Sequence, residues 1–176
     1  MTTFRVNLLK ATYGSLFYLI RETMTTLANE EAIWEQYRNN DWYCDDLPYA
    51  QKRFFNVSKE MVLNDFAKNV IEPCDELRFT PPILFNKYFP LFIEFVLIGE
   101  HSDDKANEVA SCFMSLLDEK LDKKEFNNIE LINYALTAVE FLKNNIDFFN
   151  NHPDIYGELS IDLASVTQKL TSYKVS

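Results

Sequence analysis

Two histidines are the first side chains to consider for chemistry, because an imidazole can act as a general base or a metal ligand near neutral pH. His101 is followed by Asp103 and Asp104, a grouping able to contact a divalent cation, whereas His152 stands beside Pro153. Neither histidine belongs to a Glu-x-x-His pair of the di-iron bundles or to a His-Glu-x-x-His zinc motif. We interpret the two aspartates as the solvated start of a helix, and we predict no metal and no cofactor.

Other catalytic patterns are missing from the sequence. Three glycines in 176 residues cannot build a glycine-rich phosphate loop, and no nucleophile-elbow motif surrounds a serine. The cysteines, Cys44, Cys74 and Cys112, are odd in number, far apart and without a Cys-x-x-Cys spacing. We interpret them as reduced thiols that mostly fill the core of a cytoplasmic protein. The sequence therefore predicts a protein that is not an enzyme.

The densest mixture of acidic and aromatic residues lies between Asn39 and Phe55, in the least regular part of the sequence, where Pro48 interrupts the chain. Exposed aromatic rings anchor protein interfaces, and carboxylates beside them steer a basic partner. The competing interpretation is that the aromatic rings pack into a corner between helices. We predict a partner-binding surface formed by Asp41, Trp42, Tyr43, Asp45, Asp46 and Tyr49.

The overall charge favours a basic protein partner. The formal net charge is −10 and the isoelectric point is about 4.7, with the acidic residues spread through the body of the chain. Such a surface repels the phosphate backbone of nucleic acids and anionic membranes, while it accelerates association with a basic protein. We therefore expect no direct nucleic-acid binding and no membrane binding. The simpler interpretation, that acidity only maintains solubility, is compatible with the same numbers.

The composition indicates one helical domain spanning residues 1–176. Hydrophobic residues make up 47% of the chain, enough for a substantial core, and the scarcity of glycine argues against the many tight turns of a sheet. The N-terminal apolar run is interrupted by Lys10, Thr12 and Gly14, which favours an amphipathic helix over a signal peptide. The run from Ile83 to Ile98 is too short and too polar to span a bilayer.

That same run predicts the central helix of the fold, over residues 81–98. Only four of its positions are polar or proline, so a helix here is apolar on all sides but one strip and must be surrounded by other helices. Thr80 is the expected N-cap, with Pro81 at the first helical position, and Pro90 should kink or split the helix. We expect an all-α bundle of about seven helices around this segment.

The surrounding helices follow from apolar periodicity and capping residues. Expected inward-facing side chains include Ile129 and Ile155, and the stretch from Lys120 to Glu125 is expected to be a charged link. The predicted helices run from Phe4 to Leu27, from Asn29 to Tyr37, from cap Ser58 to Pro73, from cap Ser102 to Leu121, from cap Asn127 to Phe149, and from Ile155 to the C-terminal region.

These features together favour a non-enzymatic binding protein. The leading hypothesis is a bacterial immunity protein or antitoxin that docks onto a basic toxin, for instance a nuclease, and neutralises it. One alternative is a small helical enzyme with its site at His101, Asp103 and Asp104, or at His152. Another is a DNA mimic or helical regulatory protein. The sequence leaves the oligomeric state open.

Overall fold

The computed structural model describes residues 30–38, 45–126 and 128–173, and within those ranges it contains ten helices and no strand. The all-α prediction is therefore confirmed, whereas the expected helix from Phe4 to Leu27 lies outside the described residues. The helices are α1 (Glu30–Arg38), α2 (Leu47–Phe54), α3 (Lys59–Lys68), α4 (Ile71–Arg78), α5 (Pro82–Ile98), α6 (Asp103–Asp122), α7 (Ile129–Asn144), α8 (Ile146–Phe149), α9 (Pro153–Tyr156) and α10 (Leu159–Tyr173).

Helix α5 lies at the centre of the described bundle, as its apolar composition predicts. It packs against α3, α4, α6 and α7, and most of its side chains are buried. Stacked phenylalanine rings connect it to two of these neighbours: Phe92 lies 4.5 Å from Phe66 of α3, and Phe89 lies 5.6 Å from Phe113 of α6, between ring centroids. The periphery is formed in part by α10, which packs on α6 and α7. No helix in the described ranges combines the length and the apolarity that a membrane crossing requires.

The polar strip of α5 is used for ion pairs with neighbouring helices. Lys87 contacts the carboxylate of Glu30 on α1, and Glu94 receives Lys59 of α3 at 2.6 Å. A charged side chain close to a core is tolerated when an opposite charge accompanies it. The strip therefore joins α5 to its neighbours through charge as well as through apolar packing.

The prolines around α5 act differently from the sequence prediction. The helix begins at Pro82, with Pro81 as the extended residue before it, and the Thr80 hydroxyl donates to the Leu77 carbonyl at 2.7 Å. Thr80 therefore completes the end of α4 and does not cap α5. The helix continues through Pro90 as one element, so the expected split does not occur. Proline removes only one backbone hydrogen bond, and the buried neighbours on every side hold the remaining turns in place.

Two further prolines start helices that the sequence analysis missed. Pro48 occupies the first turn of α2, inside the stretch expected to be irregular, and Pro73 occupies the first turn of α4, where a helix was expected to end. The first-turn N–H groups have no intrahelical acceptor, so proline there loses no hydrogen bond. The helix after Ser58 consequently stops at Lys68, and α4 follows separately.

Helix caps agree with the prediction at two sites and differ at a third. The Ser58 hydroxyl accepts from the Met61 N–H at 3.3 Å, and Ser102 precedes α6 in an extended conformation at the predicted cap position, although its side chain makes no capping hydrogen bond. Helix α7 is capped by Asn128, whose side chain accepts from the Glu130 N–H at 2.7 Å, whereas the predicted cap Asn127 lies outside the described residues.

Two isoleucines expected in the core are exposed. Ile129 is the first residue of α7, before the helix has turned its apolar face inward, and half of its surface faces solvent. Ile155 lies on α9, a single turn with no buried residue. Ile132 and Val139 of α7 are buried as the apolar periodicity predicts, and they are joined in the core by further residues of the helix: Leu131, Tyr134, Ala135, Ala138 and Leu142.

The expected charged link from Lys120 to Glu125 is in part a core structure. Helix α6 extends through Asp122, and Lys120 is fully buried. Its ammonium donates to Glu125 and to the Arg78 carbonyl oxygen, and it lies 4.9 Å from the centroid of the Phe85 ring. A lysine can occupy such a position only because carboxylate, carbonyl and ring face replace its hydration.

Candidate partner-binding surface

Half of the predicted binding surface lies within the described residues. Asp45 and Asp46 are exposed immediately before α2, and Tyr49, in its first turn, has 63% of its surface exposed. Within the described residues, the Asp46 side chain makes no capping hydrogen bond to α2. The opposite side of α2 is buried through Leu47, Ala50 and Phe54. Asp41, Trp42 and Tyr43 lie outside the described residues.

Several carboxylates elsewhere in the described residues are neutralised within the fold. Arg53 of α2 contacts Asp65 of α3 at 2.9 Å, Glu72 of α4 at 3.5 Å, and Glu76 of α4. Arg78 similarly joins Asp75 to Glu119 of α6, the latter at 2.7 Å. A carboxylate that already has a guanidinium partner offers little attraction to another cation.

The carboxylates of the C-terminal segment, in contrast, lack basic partners among the described residues. No lysine or arginine occurs between Lys143 and Lys169, and none of the acidic residues between them forms a salt bridge with another described residue. All of these acidic residues are exposed: Asp147, Asp154, Glu158 and Asp162. The negative charge here is consequently not cancelled by described neighbours.

Exposed apolar side chains lie among these carboxylates. Ile155 and Ile161 have 73% and 68% of their surface exposed, and Tyr156 is also exposed. Leu159 alone between Asp154 and Asp162 is buried and attaches the segment to the core. We name the exposed set the C-terminal acidic surface: Asp154, Ile155, Tyr156, Glu158, Ile161 and Asp162.

A groove between α6 and α10 continues this surface. Its volume is about 400 Å³, and three hydroxyl groups and a carboxylate pair contribute to its walls: Ser111, Ser115, Ser165, Asp118 and Asp162. Although Asp162 is exposed, partial desolvation at the groove wall and the nearby charge of Asp118 raise its pKa above the ordinary value. Lys169 neutralises Asp118 at 2.8 Å and Asp122 at 2.7 Å, at the end of α6. Asp162 has no such described cation and remains the uncompensated charge of the groove.

The structure places the two histidines of the enzyme alternative in different surroundings. His101 Nε2 lies 3.1 Å from the Val96 carbonyl oxygen, and the ring packs edge-on against Phe95 and Phe149, with centroids 4.9 and 5.6 Å away. Burial lowers the pKa of His101, so the imidazole is held neutral. Gly99 makes this packing possible, because a Cβ there would lie 2.9 Å from His101 Cε1.

The aspartates and the second histidine are held separately. Asp103 and Asp104 are exposed in the first turn of α6, and a hydrogen bond with Ser102 lowers the pKa of Asp104. His152 is exposed, and its backbone N–H donates to the Asn107 side chain at 3.1 Å. The described ranges contain no group of three or more His, Cys, Asp or Glu side chains that could hold a metal ion.

Two cysteines that the sequence analysis treated as separate core fillers are neighbours. Cys74 of α4 is buried, Cys112 of α6 is half-buried, and Cys74 Sγ lies 3.5 Å from the Cys112 carbonyl oxygen. They are 38 residues apart in the sequence, so only the packing of α4 on α6 brings them together. Neither local spacing nor helical periodicity contains that information.

Comparisons with protein-family models, with curated proteins and with solved structures found no match. Any function assigned to this chain therefore depends on its own residues and their arrangement.

Proposed function

We propose that this chain is a non-enzymatic helical binding protein that docks onto a basic protein and neutralises it, in the manner of a bacterial immunity protein or antitoxin acting on a toxin. The observation that supports the proposal is the C-terminal acidic surface. There, exposed carboxylates without a described cation alternate with exposed isoleucine and tyrosine side chains. We place the protein in the cytoplasm, where such a partner would be neutralised within the producing cell.

Charge and apolar surface have separate roles in this proposal. The uncompensated charges of Asp154, Glu158 and Asp162 accelerate encounter with a basic surface, and they reject acidic partners. Ile155 and Ile161 lose their contact with water when a partner covers them, which supplies the apolar part of the binding free energy. Isolated exposed apolar residues are ordinary, whereas apolar residues grouped within a polar rim are typical of interaction sites.

Asp45, Asp46 and Tyr49 have the same combination of exposed carboxylate and exposed ring. The surface predicted from the sequence therefore stays a second candidate for the same function. The two surfaces can be distinguished, because they lie on separate helices and can be altered independently. A nuclease could bind either of the two acidic surfaces, since nucleases carry basic patches that contact the phosphate backbone.

The test uses the full-length chain together with the basic protein encoded by a neighbouring gene. Co-expression should restore growth that the partner alone abolishes, and the affinity should fall steeply with salt. In the variant Asp154→Lys/Glu158→Lys/Asp162→Lys the dissociation constant should rise by about 100-fold or more, because each close charge pair at such an interface contributes roughly 1.5 kcal/mol or more.

A matched control reverses the same number of charges elsewhere. Glu31, Glu100 and Glu140 are exposed and lie on other parts of the molecule, and we expect their replacement by lysine to weaken binding by less than about tenfold. Equal weakening by both triple variants would contradict docking at the C-terminal acidic surface. If only the variant Asp45→Lys/Asp46→Lys lost binding, the partner would dock at the surface that these two aspartates form with Tyr49. Failure to protect growth at all would overturn the proposed function.

A further inference from the structure

Helices α4 and α6 bring two cysteines together at their interface. Cys74 Sγ lies 3.5 Å from the backbone carbonyl oxygen of Cys112, and both cysteines are free. Cys74 is buried at the contact, while Cys112 is half-buried and hence accessible from one side. Helix packing fixes the pair, because Arg78 of α4 is also bonded to Glu119 of α6 at 2.7 Å, further along the same interface.

The two sulfur atoms have different reactivity. A hydrogen bond with Cys74 lowers the pKa of the Cys112 thiol, and the same interaction together with burial raises the pKa of Cys74. Arg78 adds a positive charge that favours the thiolate at both positions. The thiolate is the nucleophilic form of cysteine, and half-buried Cys112 is the thiol that a small disulfide can reach, so Cys112 attacks first.

We propose that Cys74 and Cys112 form a redox-active dithiol, which a small-molecule disulfide oxidises to an intramolecular disulfide between α4 and α6. The Cys112 thiolate attacks one sulfur of the small disulfide, whose S–S bond breaks and releases one thiolate that takes up a proton. The Cys74 sulfur, after giving its proton to solvent, then attacks Cys112 and releases the second small thiol. In total the protein loses two electrons and two protons, and the small disulfide is reduced to two thiols.

This modification is independent of partner docking. The disulfide would close a chain segment that contains all of α5, because the central helix lies between Cys74 and Cys112 in sequence. Cross-linking across that segment restricts the unfolded chain and raises the temperature of unfolding. The oxidised protein should therefore be more stable than the reduced one.

The experiment uses the full-length protein with Cys44→Ser, so that only this pair can react. After incubation with oxidised glutathione, intact mass spectrometry should show the loss of two hydrogen atoms and no retained glutathione. Thiol titration under denaturing conditions should find no free thiol, and dithiothreitol should reverse both changes. The temperature of unfolding should rise on oxidation and return on reduction.

Single replacements identify the order of attack. With Cys74→Ser, Cys112 should retain glutathione as a stable adduct, whereas with Cys112→Ser the buried Cys74 should stay unmodified. Retained glutathione on the parent protein, a disulfide between two molecules, or two thiols that resist oxidation would each overturn the proposal. The Cys44→Ser protein by itself distinguishes these outcomes, so the proposal can be tested even if one of the single replacements fails to fold.

Discussion

Lys120 Nζ lies 2.5 Å from Glu125 Oε2, with only 1% of the lysine side chain and 13% of the glutamate side chain exposed. The same ammonium donates to the Arg78 carbonyl oxygen at 2.8 Å. This ion pair connects the end of α6 to the end of α4 and to the segment before α7. The Lys120 ammonium and the Glu125 carboxylate neutralise each other, so neither charge is buried without a counter-charge.

Replacing Lys120 by methionine should lower the free energy of unfolding by about 3 kcal/mol, because Glu125 then loses the charge that compensates it. The double variant Lys120→Met/Glu125→Leu should recover most of that loss, since a well-packed apolar pair can substitute for a buried ion pair. Urea unfolding of the two variants measures both values. The exposed Lys143→Met is the control, with an expected change within about 0.5 kcal/mol. A double variant as unstable as Lys120→Met would contradict the pairing argument.

The buried imidazole of His101 predicts a pH dependence of stability. Burial lowers the pKa of His101 in the folded protein below the ordinary value of about 6.5 that it has in the unfolded chain. Between those two pKa values the unfolded chain binds a proton that the folded protein does not, so this residue's contribution to stability falls as the pH falls below about 6.5.

The variant His101→Gln lacks that titration. The stability difference between the parent and this variant should therefore shrink as the pH is lowered from about 7.5 to about 5.5. Urea unfolding at several pH values measures the difference. His152→Gln is the matched control, because it makes the same replacement at an exposed side chain. Parallel pH curves for the parent and His101→Gln would show that burial does not hold this imidazole neutral.

The Arg53 cluster predicts a loss of stability that also depends on pH. Although burial opposes the change, hydrogen bonds from Arg53 and Lys68 lower the pKa of Asp65. The stabilisation from Asp65 is therefore complete above its ordinary pKa of about 3.8 and is lost as the pH falls through the folded value. Arg53→Met should lower the free energy of unfolding by about 1–2 kcal/mol near neutral pH, a value reduced by the partial exposure of the pair.

The defect of Arg53→Met should diminish as the pH falls below about 3.8 and through the lower folded pKa of Asp65, where this carboxylate takes up a proton. Denaturant titrations at neutral and acidic pH make the comparison. Arg38→Met is the control, because the contacts of Arg38 with Glu35 and with Gln51 of α2 are exposed and contribute little. An Arg53→Met defect that stays constant with pH would assign the loss to packing of the side-chain methylenes and not to charge.

Local sequence determined the helical class, the central helix and several helix starts. The apolar run before Ile98 can be buried in only one way, as a helix surrounded by others, and a serine such as Ser58 satisfies backbone N–H groups within its own turn. These features depend on residues a few positions apart. The immunity-type function was inferred from charge and composition and stays a proposal.

The tertiary structure decided the features that depend on distant residues. Ile155 is exposed because α9 is a single turn with no buried residue, and Lys120 is buried because Glu125 and Arg78 meet it there. The contact of Cys74 with Cys112 likewise arises only when α4 packs on α6. Apolar periodicity in the sequence indicates which face of a helix is apolar. Whether a given side chain is buried, paired or exposed depends on which other helices pack against that face, and the packing of the whole chain determines this.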